Sequence, residues 1–329
     1  MTQGALLPLR RLQIGKEADA TPGTEVAATA RLLGEGVLYE ATQLIRPERD
    51  YGSLAGGHEA PVAVALESKL DWVTDASYQQ ILYPLYTISE IAPTGAGPYV
   101  YVFDSPVAAD LDGYTFTLEG VAYDGAAIIE QFTAVYGFVT EFGLSAAFGA
   151  NLTEMRATWV AKSLTAKAPT ADPGIPTRTL IPADKWTVKL ADTQAGLTAA
   201  SALAGVVNSF DLTLEMPYRP KRRLNGDIEF VERALKMHKM TIRMTYDLIA
   251  GIETERLNFR AGTRRFIRLS VGSGNEIIQI DMCGDILEPP TTGADEETET
   301  REVTYVSAYD ATWTKAWSIS VTNNLAALP

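Results

Sequence analysis

The chain has 329 residues, of which 46% are hydrophobic and 21% charged, so it is not intrinsically disordered and fills one large or two medium domains. Its net charge of −13, two histidines and one cysteine argue against tight nucleic-acid binding, an internal disulfide and a multi-cysteine zinc site. No run of about 18 apolar residues occurs, so we expect no membrane span.

The negative charge is concentrated in the first half. Residues 1–170 carry 10 Lys and Arg against 20 Asp and Glu. Between Leu70 and Met155 there is no basic residue, whereas eleven acidic residues lie from Asp71 to Glu154. Such a surface cannot hold DNA or RNA tightly, although it can face nucleic acid without adhering to it.

The chain begins with a polar, turn-rich lead-in. Residues 13–28 contain few large apolar side chains and are predicted to form neither helix nor strand. We therefore predict an N-terminal arm over residues 1–35. The arm is expected to drive polymerisation and to be separable from a folded, soluble core.

Alternating apolar and polar residues follow, which indicates half-buried strands. The clearest runs are 61–72, 114–119, 138–148, 206–216, 239–246 and 313–321. Turn signals such as Asp112-Gly113, Asp124-Gly125 and Asn225-Gly226 lie between them. The predicted fold class is mainly β, a β-sandwich or barrel with one or two short helices.

Two segments have a helical pattern. The first begins at Thr74 or Asp75 as N-cap and is predicted to stop or bend by Tyr83, because Pro84 follows. Its apolar stripe consists of Tyr78, Ile81, Leu82, Leu85 and Tyr86. The second, weaker candidate is 227–236.

Two polar segments, 165–176 and 289–300, are predicted loops, and the first resembles a linker. A boundary there divides the chain into β domains over 36–170 and 171–329. In both, a Gly-Val pair opens a strand, a charged loop follows, and a further strand comes next. This parallel suggests an internal duplication.

Few residues suit catalysis or metal binding. His58 and His238 lack metal-ligand spacing, and no Gly-x-Ser-x-Gly elbow is present. The glycine-rich stretch 52–57 lacks a phosphate-binding ending, and Asp104, Asp110 and Asp112 lack an EF-hand pattern. Cys283 is expected to be a buried thiol. We therefore expect no catalytic residue, no metal and no cofactor, and we expect that the chain is not an enzyme.

The one basic cluster is Arg219-Pro-Lys-Arg-Arg223. It is small for a nucleic-acid patch and has only Tyr218 as a neighbouring aromatic. An ionic contact with the acidic half of a neighbouring subunit suits it better. An exposed, solvated hairpin loop remains an equal alternative.

Several short segments resemble a known family. They are Gly15-Lys-Glu17 with Pro22-Gly-Thr24 near the start, 136–144 and 205–212 in the middle, and 305–312 with 316–322 near the end. In these segments and in the order of its elements, the chain is similar to the tail tube (major tail) proteins of long-tailed bacteriophages.

The resemblance implies a β-sandwich or barrel with a short helix, an N-terminal arm and a long inter-strand loop. Such subunits close into rings, and the rings stack into a hollow tube in the virion tail through which DNA passes. Two tube-like domains in one chain would allow rings of three chains in place of six. An acidic lumen would repel the phosphates of passing DNA.

The resemblance also implies partners and contacts. The partners are further copies of the chain and other tail proteins: the tape measure, the terminator and the baseplate or distal tail protein. The subunits would be made in the host cytoplasm and end in the virion. The candidate inter-subunit contacts are Arg46, Arg49, Tyr51, His58, Tyr218, Arg219, Lys221, Arg222 and Arg223.

Two other functions fit the sequence. One is a carbohydrate-binding or hydrolytic β protein of a virion, with Tyr99, Tyr101, Trp186 or Trp313 against sugar rings. The other is a tail adaptor or terminator that forms one ring without polymerising.

Overall fold

The fold is mainly β, as predicted, with 55% of residues in strands and 7% in helices. The computed structural model describes residues 10–45, 60–105, 113–124, 127–203, 206–223, 227–247, 253–295 and 298–328. Within these ranges, no helix has the length and apolar character needed to cross a bilayer.

The strands are β1 (Arg10–Lys16), β2 (Ala30–Leu32), β3 (Leu38–Glu40), β4 (Gln43–Ile45), β5 (Val62–Ala65), β6 (Ser68–Asp75), β7 (Tyr99–Asp104), β8 (Phe116–Asp124), β9 (Ala127–Ala147), β10 (Glu154–Ala161), β11 (Thr165–Ala166), β12 (Thr187–Ala191), β13 (Val207–Glu215), β14 (Tyr218–Lys221), β15 (Glu232–Leu235), β16 (Lys239–Asp247), β17 (Arg265–Ser273), β18 (Glu276–Ile286), β19 (Thr291–Asp295), β20 (Thr298–Ser307) and β21 (Trp317–Asn323). The helices are α1 (Leu82–Tyr86), α2 (Gly196–Ala199) and α3 (Glu253–Ala261).

The principal feature is an antiparallel run of eight strands in the order β3–β6–β10–β9–β13–β16–β20–β19, called here the eight-strand run. The other strands pair as β12–β17–β18–β21–β7 and as β2–β1–β8–β9–β11. One apolar core takes buried side chains from all three groups, including Trp72, Trp317 and Phe116.

The long strand β9 exchanges partners along its length. Its first part pairs with β8 and β11, and its last part with β10 and β13. Tyr136 lies at the change and has a φ of 61°, which non-glycine residues rarely adopt. The buried carboxylate of Glu17 accepts a 2.8 Å hydrogen bond from the Tyr136 N–H and others from Thr115, Thr117 and Gly23. Glu17 therefore holds an unfavourable backbone conformation in place.

The prediction for residues 13–28 is wrong at its start. Residues from Arg10 to Lys16 form a strand that pairs with β2 and β8, and Leu12 and Ile14 are buried. The segment has few apolar residues, but its long-range partners supply the hydrogen bonds and the packing that the local sequence lacks. The described part of the predicted arm thus contributes strands and buried side chains to the core.

The helix predictions are wrong in extent. α1 begins at Leu82, well after the predicted N-cap, and contains Pro84 in its first turn, where the missing N–H costs no intrahelical hydrogen bond. Segment 227–236 contains the strand β15 and no helix, while α3 was not predicted. The pattern of 227–236 was too short to distinguish the two structures.

The loop predictions also need correction. The stretch 165–176 begins with the short strand β11, and most of 289–300 lies in β19 and the start of β20. These polar residues form strands because β11 pairs with β9, and β19 and β20 pair with each other.

The pairing of the first half recurs in the second. The pairs β1–β8, β3–β6, β6–β10, β8–β9, β9–β10 and β9–β11 correspond to β12–β17, β13–β16, β16–β20, β17–β18, β18–β20 and β18–β21. In each half a two-stranded hairpin, β4–β5 or β14–β15, precedes the strand that leads to α1 or α3. The predicted parallel between the halves thus has a counterpart in strand topology.

The two halves are nevertheless joined. β9 pairs with β13 and β7 with β21, so strands on either side of residue 170 share one sheet. The main core cluster also contains residues of both halves. The prediction of two separate β domains divided near residue 170 is therefore not confirmed.

Candidate functional site

One face of the eight-strand run is polar. In β13 the residues Asp211, Thr213 and Glu215 point to this face, whereas Phe210 and Leu212 point to the core. The registers with β9 and β16 carry the same alternation across the neighbouring strands. The result is a continuous surface of partly or fully exposed polar side chains on β6, β10, β9, β13, β16 and β20, called here the polar face.

The polar face is acidic. Its carboxylates are Asp71, Asp75, Glu141, Glu154, Asp211, Glu215, Asp247 and Glu302, and its cations are Lys69, Arg156, Lys239 and Arg243. Eight acidic and four basic residues leave a surplus of four negative charges on these strands. A polyanion near this surface would be repelled.

Arg156 joins the two halves across the polar face. From β10 it reaches over β9 to Asp211 on β13, where Nη2 and Oδ1 lie 2.6 Å apart, and it also donates to Thr213. Gly143 of β9 makes the crossing possible, because a Cβ there would lie 2.6 Å from Arg156 Nε. The hydrogen bond to Asp211 raises the pKa of Arg156, so the pair stays charged.

A second ion pair lies at the far end of the polar face. Arg243 on β16 approaches Glu302 on β20 to 2.6 Å, and this hydrogen bond raises the pKa of Arg243. Asp71 accepts hydrogen bonds from Thr158 and Tyr39, each 3.1 Å long. Since both arginines are paired with carboxylates, the unpaired acidic residues set the sign of the surface potential.

The predicted basic cluster lies on the hairpin β14–β15 and pairs within its own chain. Lys221 and Arg223 both contact Glu232, whose pKa these two cations lower to about 2. Arg222 contacts Glu67. Arg219 is exposed.

The other predicted contact residues are either buried or outside the described ranges. Tyr218 is only 2% exposed, so its ring is a packing group of its own subunit. Arg46, Arg49, Tyr51 and His58 lie outside the described residues. Whether any of the nine contacts a second subunit stays a prediction.

The hairpin β14–β15 is docked on the first half. Tyr218 and Phe230 pack edge-on against Phe138 at centroid distances of 6.4 and 5.9 Å, and Val160 and Tyr136 complete the cluster. This small aromatic core was not identified from the sequence. The spacing of Tyr136 and Phe138 was visible, but nothing indicated their distant partners.

Arg233 fastens the same hairpin. Its guanidinium lies 4.2 Å from the centroid of the Tyr218 ring and donates to the carbonyls of Gly113 and Tyr114. The Tyr218 hydroxyl donates to the carbonyl of Ile88, which follows α1. The seat of the hairpin thus includes loops of the first half as well as its strands.

The hairpin β4–β5 is different, because its described stem exposes apolar side chains. The exposed fractions are 60% for Leu44, 48% for Ile45, 55% for Val62 and 40% for Val64. A two-stranded hairpin is marginally stable in water, and clustered exposed apolar residues indicate an interaction surface. In the register Ile45 faces Val62 on one side of the hairpin, and Leu44 faces Ala63 on the other.

The aromatics considered for sugar binding are packed. Tyr101 is buried, and Tyr99 packs against the main core. Trp186 contacts Phe210 edge-on at 5.0 Å and donates to Thr153, while Trp313 packs edge-on at 6.0 Å against Phe266. Each of these four rings therefore has packing or hydrogen-bond partners within the chain.

The remaining candidate groups are also engaged in packing or ion pairs. Cys283 is buried, as predicted, and burial raises the pKa of its thiol to about 11. His238 packs edge-on against Trp317, and burial lowers its pKa. Asp104 pairs with Lys315 at 2.6 Å, while Asp110 and Asp112 lie outside the described residues. No cluster of three or more metal-ligating side chains occurs in the described ranges.

Comparison with known proteins gives no family for this chain. No family model matches it, and no curated protein sequence matches it either.

Proposed function

We propose that this chain is a structural virion protein that assembles into stacked rings, which form a hollow tail tube with an acidic lumen for the passage of DNA. One observation carries the proposal. The eight-strand run is acidic on one face and apolar on the other, and within the described residues it ends on both sides in a strand with a single partner, β3 or β19. In this assembly each half is a tube-like β-sandwich unit.

The two terminal strands favour self-association. Within the described residues β3 pairs only with β6, and β19 only with β20. A free strand edge exposes unpaired N–H and C=O groups and invites pairing with another chain. Pairing of identical subunits head to tail uses both edges and closes a ring if the rotation allows it.

Strand spacing favours three chains per ring. Three eight-strand runs give 24 strands, and at about 4.8 Å per strand the circumference is roughly 115 Å and the diameter between facing backbones about 37 Å. Two chains would give about 25 Å and six about 73 Å, with strand tilt widening each value. A duplex about 20 Å across needs room for side chains on both walls, which two chains do not leave.

The polar face suits an inward orientation. Turned to the axis, its surplus carboxylates would surround DNA with negative charge, so that phosphates slide past without finding cations. The apolar face remains inside the subunit core. The subunit interfaces of such a polymer are expected to bury more than about 2,000 Å².

The partners follow from the proposal and from the sequence resemblance to tail tube proteins of long-tailed bacteriophages. They are further copies of the chain, together with tape-measure, terminator and baseplate or distal tail proteins. No catalytic residue and no cofactor enters this function.

Negative-stain electron microscopy of the purified chain, combined with sedimentation velocity, tests the proposal. We expect hollow tubes or stacked rings with a stain-filled centre. Isolated single rings at all concentrations would favour an adaptor or terminator function, and compact monomers would overturn the proposal.

A further inference from the structure

We propose that the junction between neighbouring subunits repeats the junction between the two halves inside each chain. The partner is a second copy of this chain, and the inference rests on the proposed function. It has two parts: the strand β3 pairs with β19 of the next subunit, and the hairpin β4–β5 docks on the second half of that subunit.

The hairpins occupy equivalent positions. In the first half Leu38 faces Leu70 and Leu44 faces Ala63, and in the second half Leu212 faces Ile242 and Tyr218 faces Leu235. Leu44 comes six positions after Leu38, as Tyr218 comes six after Leu212. On the partner strands Ala63 comes seven positions before Leu70, as Leu235 comes seven before Ile242. The two registers therefore agree. Leu44 therefore takes the position of Tyr218.

The internal strand junction supplies the template for the first part. β13 pairs with the outer part of β9, with Thr213 opposite Gly143. β3 is the counterpart of β13, since β3 pairs with β6, which leads to α1, and β13 pairs with β16, which leads to α3. β18 and β19 together correspond to β9. β18 matches the first part of β9, which pairs with β8 as β18 pairs with β17, and β19 matches the outer part, since both lie beside β10 or its counterpart β20.

The register between subunits follows from these equivalences. Arg156 and Glu302 each lie three residues before a buried aromatic, Trp159 or Tyr305, and they face Gly143 and Thr291 respectively. Thr291 thus takes the position of Gly143.

Tyr39 completes this register. It follows Leu38 as Thr213 follows Leu212, and therefore takes the position of Thr213. Because Thr213 faces Gly143 inside the chain, Tyr39 is expected to face Thr291 of the next subunit, and Val37 to face Gly293.

The seat of the docked hairpin supplies the template for the second part. Within the chain Tyr218 packs on Phe138, which faces Val160. Val160 follows Trp159 on β10 as Val306 follows Tyr305 on β20. Val306 faces Asp285, so Asp285 takes the position of Phe138.

The second-half seat is accessible and partly apolar. Asp285 pairs with Arg264 at 3.1 Å, which removes its free charge. Nearby along the chain, Leu287 and Tyr309 are 65% and 54% exposed. Leu44 and Ala63 share the face of the β4–β5 stem that matches Tyr218. They would cover these groups, so that both apolar surfaces would leave water together.

Cysteine pairs test the strand register. Opposite residues of an antiparallel pair are close enough for a disulfide, whereas residues displaced by two are about 7–8 Å apart at Cα. With Tyr39→Cys and Thr291→Cys combined, we expect oxidised assemblies to yield covalent multimers of the chain. Tyr39→Cys with Gly293→Cys is the matched control and is expected to cross-link at least tenfold less. The native Cys283 is buried and unreactive by comparison.

Charged substitutions test the hairpin contact. Leu44→Asp is expected to reduce assembly at least tenfold without changing the circular dichroism spectrum or the melting temperature of the monomer. Ile175→Asp is the control, since Ile175 is 73% exposed but belongs to the segment that links the two halves in sequence, outside both hairpins.

The outcomes separate this inference from the proposed function. Tubes that form without in-register cross-links, or that tolerate Leu44→Asp as well as Ile175→Asp, would overturn the inference. The proposed tube function would not be affected by either result. A wild-type chain that stays monomeric by sedimentation would overturn both.

Discussion

The two hairpins of this chain have the same register but opposite surroundings. In the second half Tyr218 is 2% exposed, because β14–β15 packs on the aromatic side chains of the first half. In the first half Leu44 has the same position but is 60% exposed. Two hairpins in equivalent positions are thus packed in one half and, in their described residues, largely exposed in the other.

The difference bears on the assembly proposed above, because the two halves share a pattern of strand pairing. The contact between β9 and β13 joins the halves, while β19 and β3 end the eight-strand run. The counterparts of β9 and β13 in this contact are β19 and β3, and these two strands lie at opposite ends of the run. Identical subunits can then associate by the same geometry.

The largest expected effect comes from removing the docked side chain. Tyr218→Ala should lower the free energy of unfolding by about 3–5 kcal/mol, because it empties a buried aromatic cluster. Leu44→Ala should change the monomer by less than about 0.5 kcal/mol, because Leu44 is largely exposed. Urea denaturation of both variants measures the contrast. Equal losses would contradict the difference between the hairpins.

A smaller loss is expected from the buried carboxylate that fixes the first half. Glu17→Ala should cost about 3 kcal/mol, because it leaves the Tyr136 N–H and the hydroxyls of Thr115 and Thr117 without their acceptor. Glu25→Ala is the control. Its exposed pair with Lys167 should contribute less than about 1 kcal/mol. A Glu17→Ala variant as stable as wild type in denaturant would show that the clamp is unnecessary.

The ion pairs of the polar face give a weaker contrast. Arg156→Ala is expected to cost about 1 kcal/mol and Arg243→Ala about 0.5 kcal/mol or less, since Arg156 is less exposed than Arg243 and also donates to Thr213. A double-mutant cycle with Asp211→Ala isolates the contact between the halves. A coupling energy of zero would remove Arg156 as a link between them.

The smallest effect concerns pH. Burial lowers the pKa of His238, so the unfolded chain binds a proton at higher pH than the folded chain does. Stability should therefore be complete above about pH 6.5 and fall as the pH drops towards the lower, folded pKa. Its counterpart in the first half is Leu66, which does not titrate. His238→Leu should flatten the decline between pH 7 and 5.5, and an unchanged slope would exclude His238 as its cause.

Alternation along the chain was enough to predict the β class and several of the strands. The run 239–246 is an example, since Met240, Ile242, Met244 and Tyr246 are all buried. Strands with polar sequences, such as β1 and β19, could not be predicted because their partners are distant in sequence. The burial of Cys283 was predictable from the residue type alone.

The assembly surfaces were harder to predict. The basic cluster attracted attention as a contact, yet Lys221, Arg222 and Arg223 pair inside the chain. The acidic polar face was visible only as a charge imbalance until the registers placed carboxylates of six strands on one side. Leu44 and Tyr218 share a position that no local sequence similarity reveals.

A cryo-EM reconstruction of the assembled chain tests the central claim most directly. We predict three subunits per ring, 24 strands around the axis, β3 hydrogen-bonded to β19 of the next subunit, and Asp211 and Arg156 facing the lumen. A map in which the polar face points away from the axis, or in which β3 and β19 remain unpaired between subunits, would contradict the account.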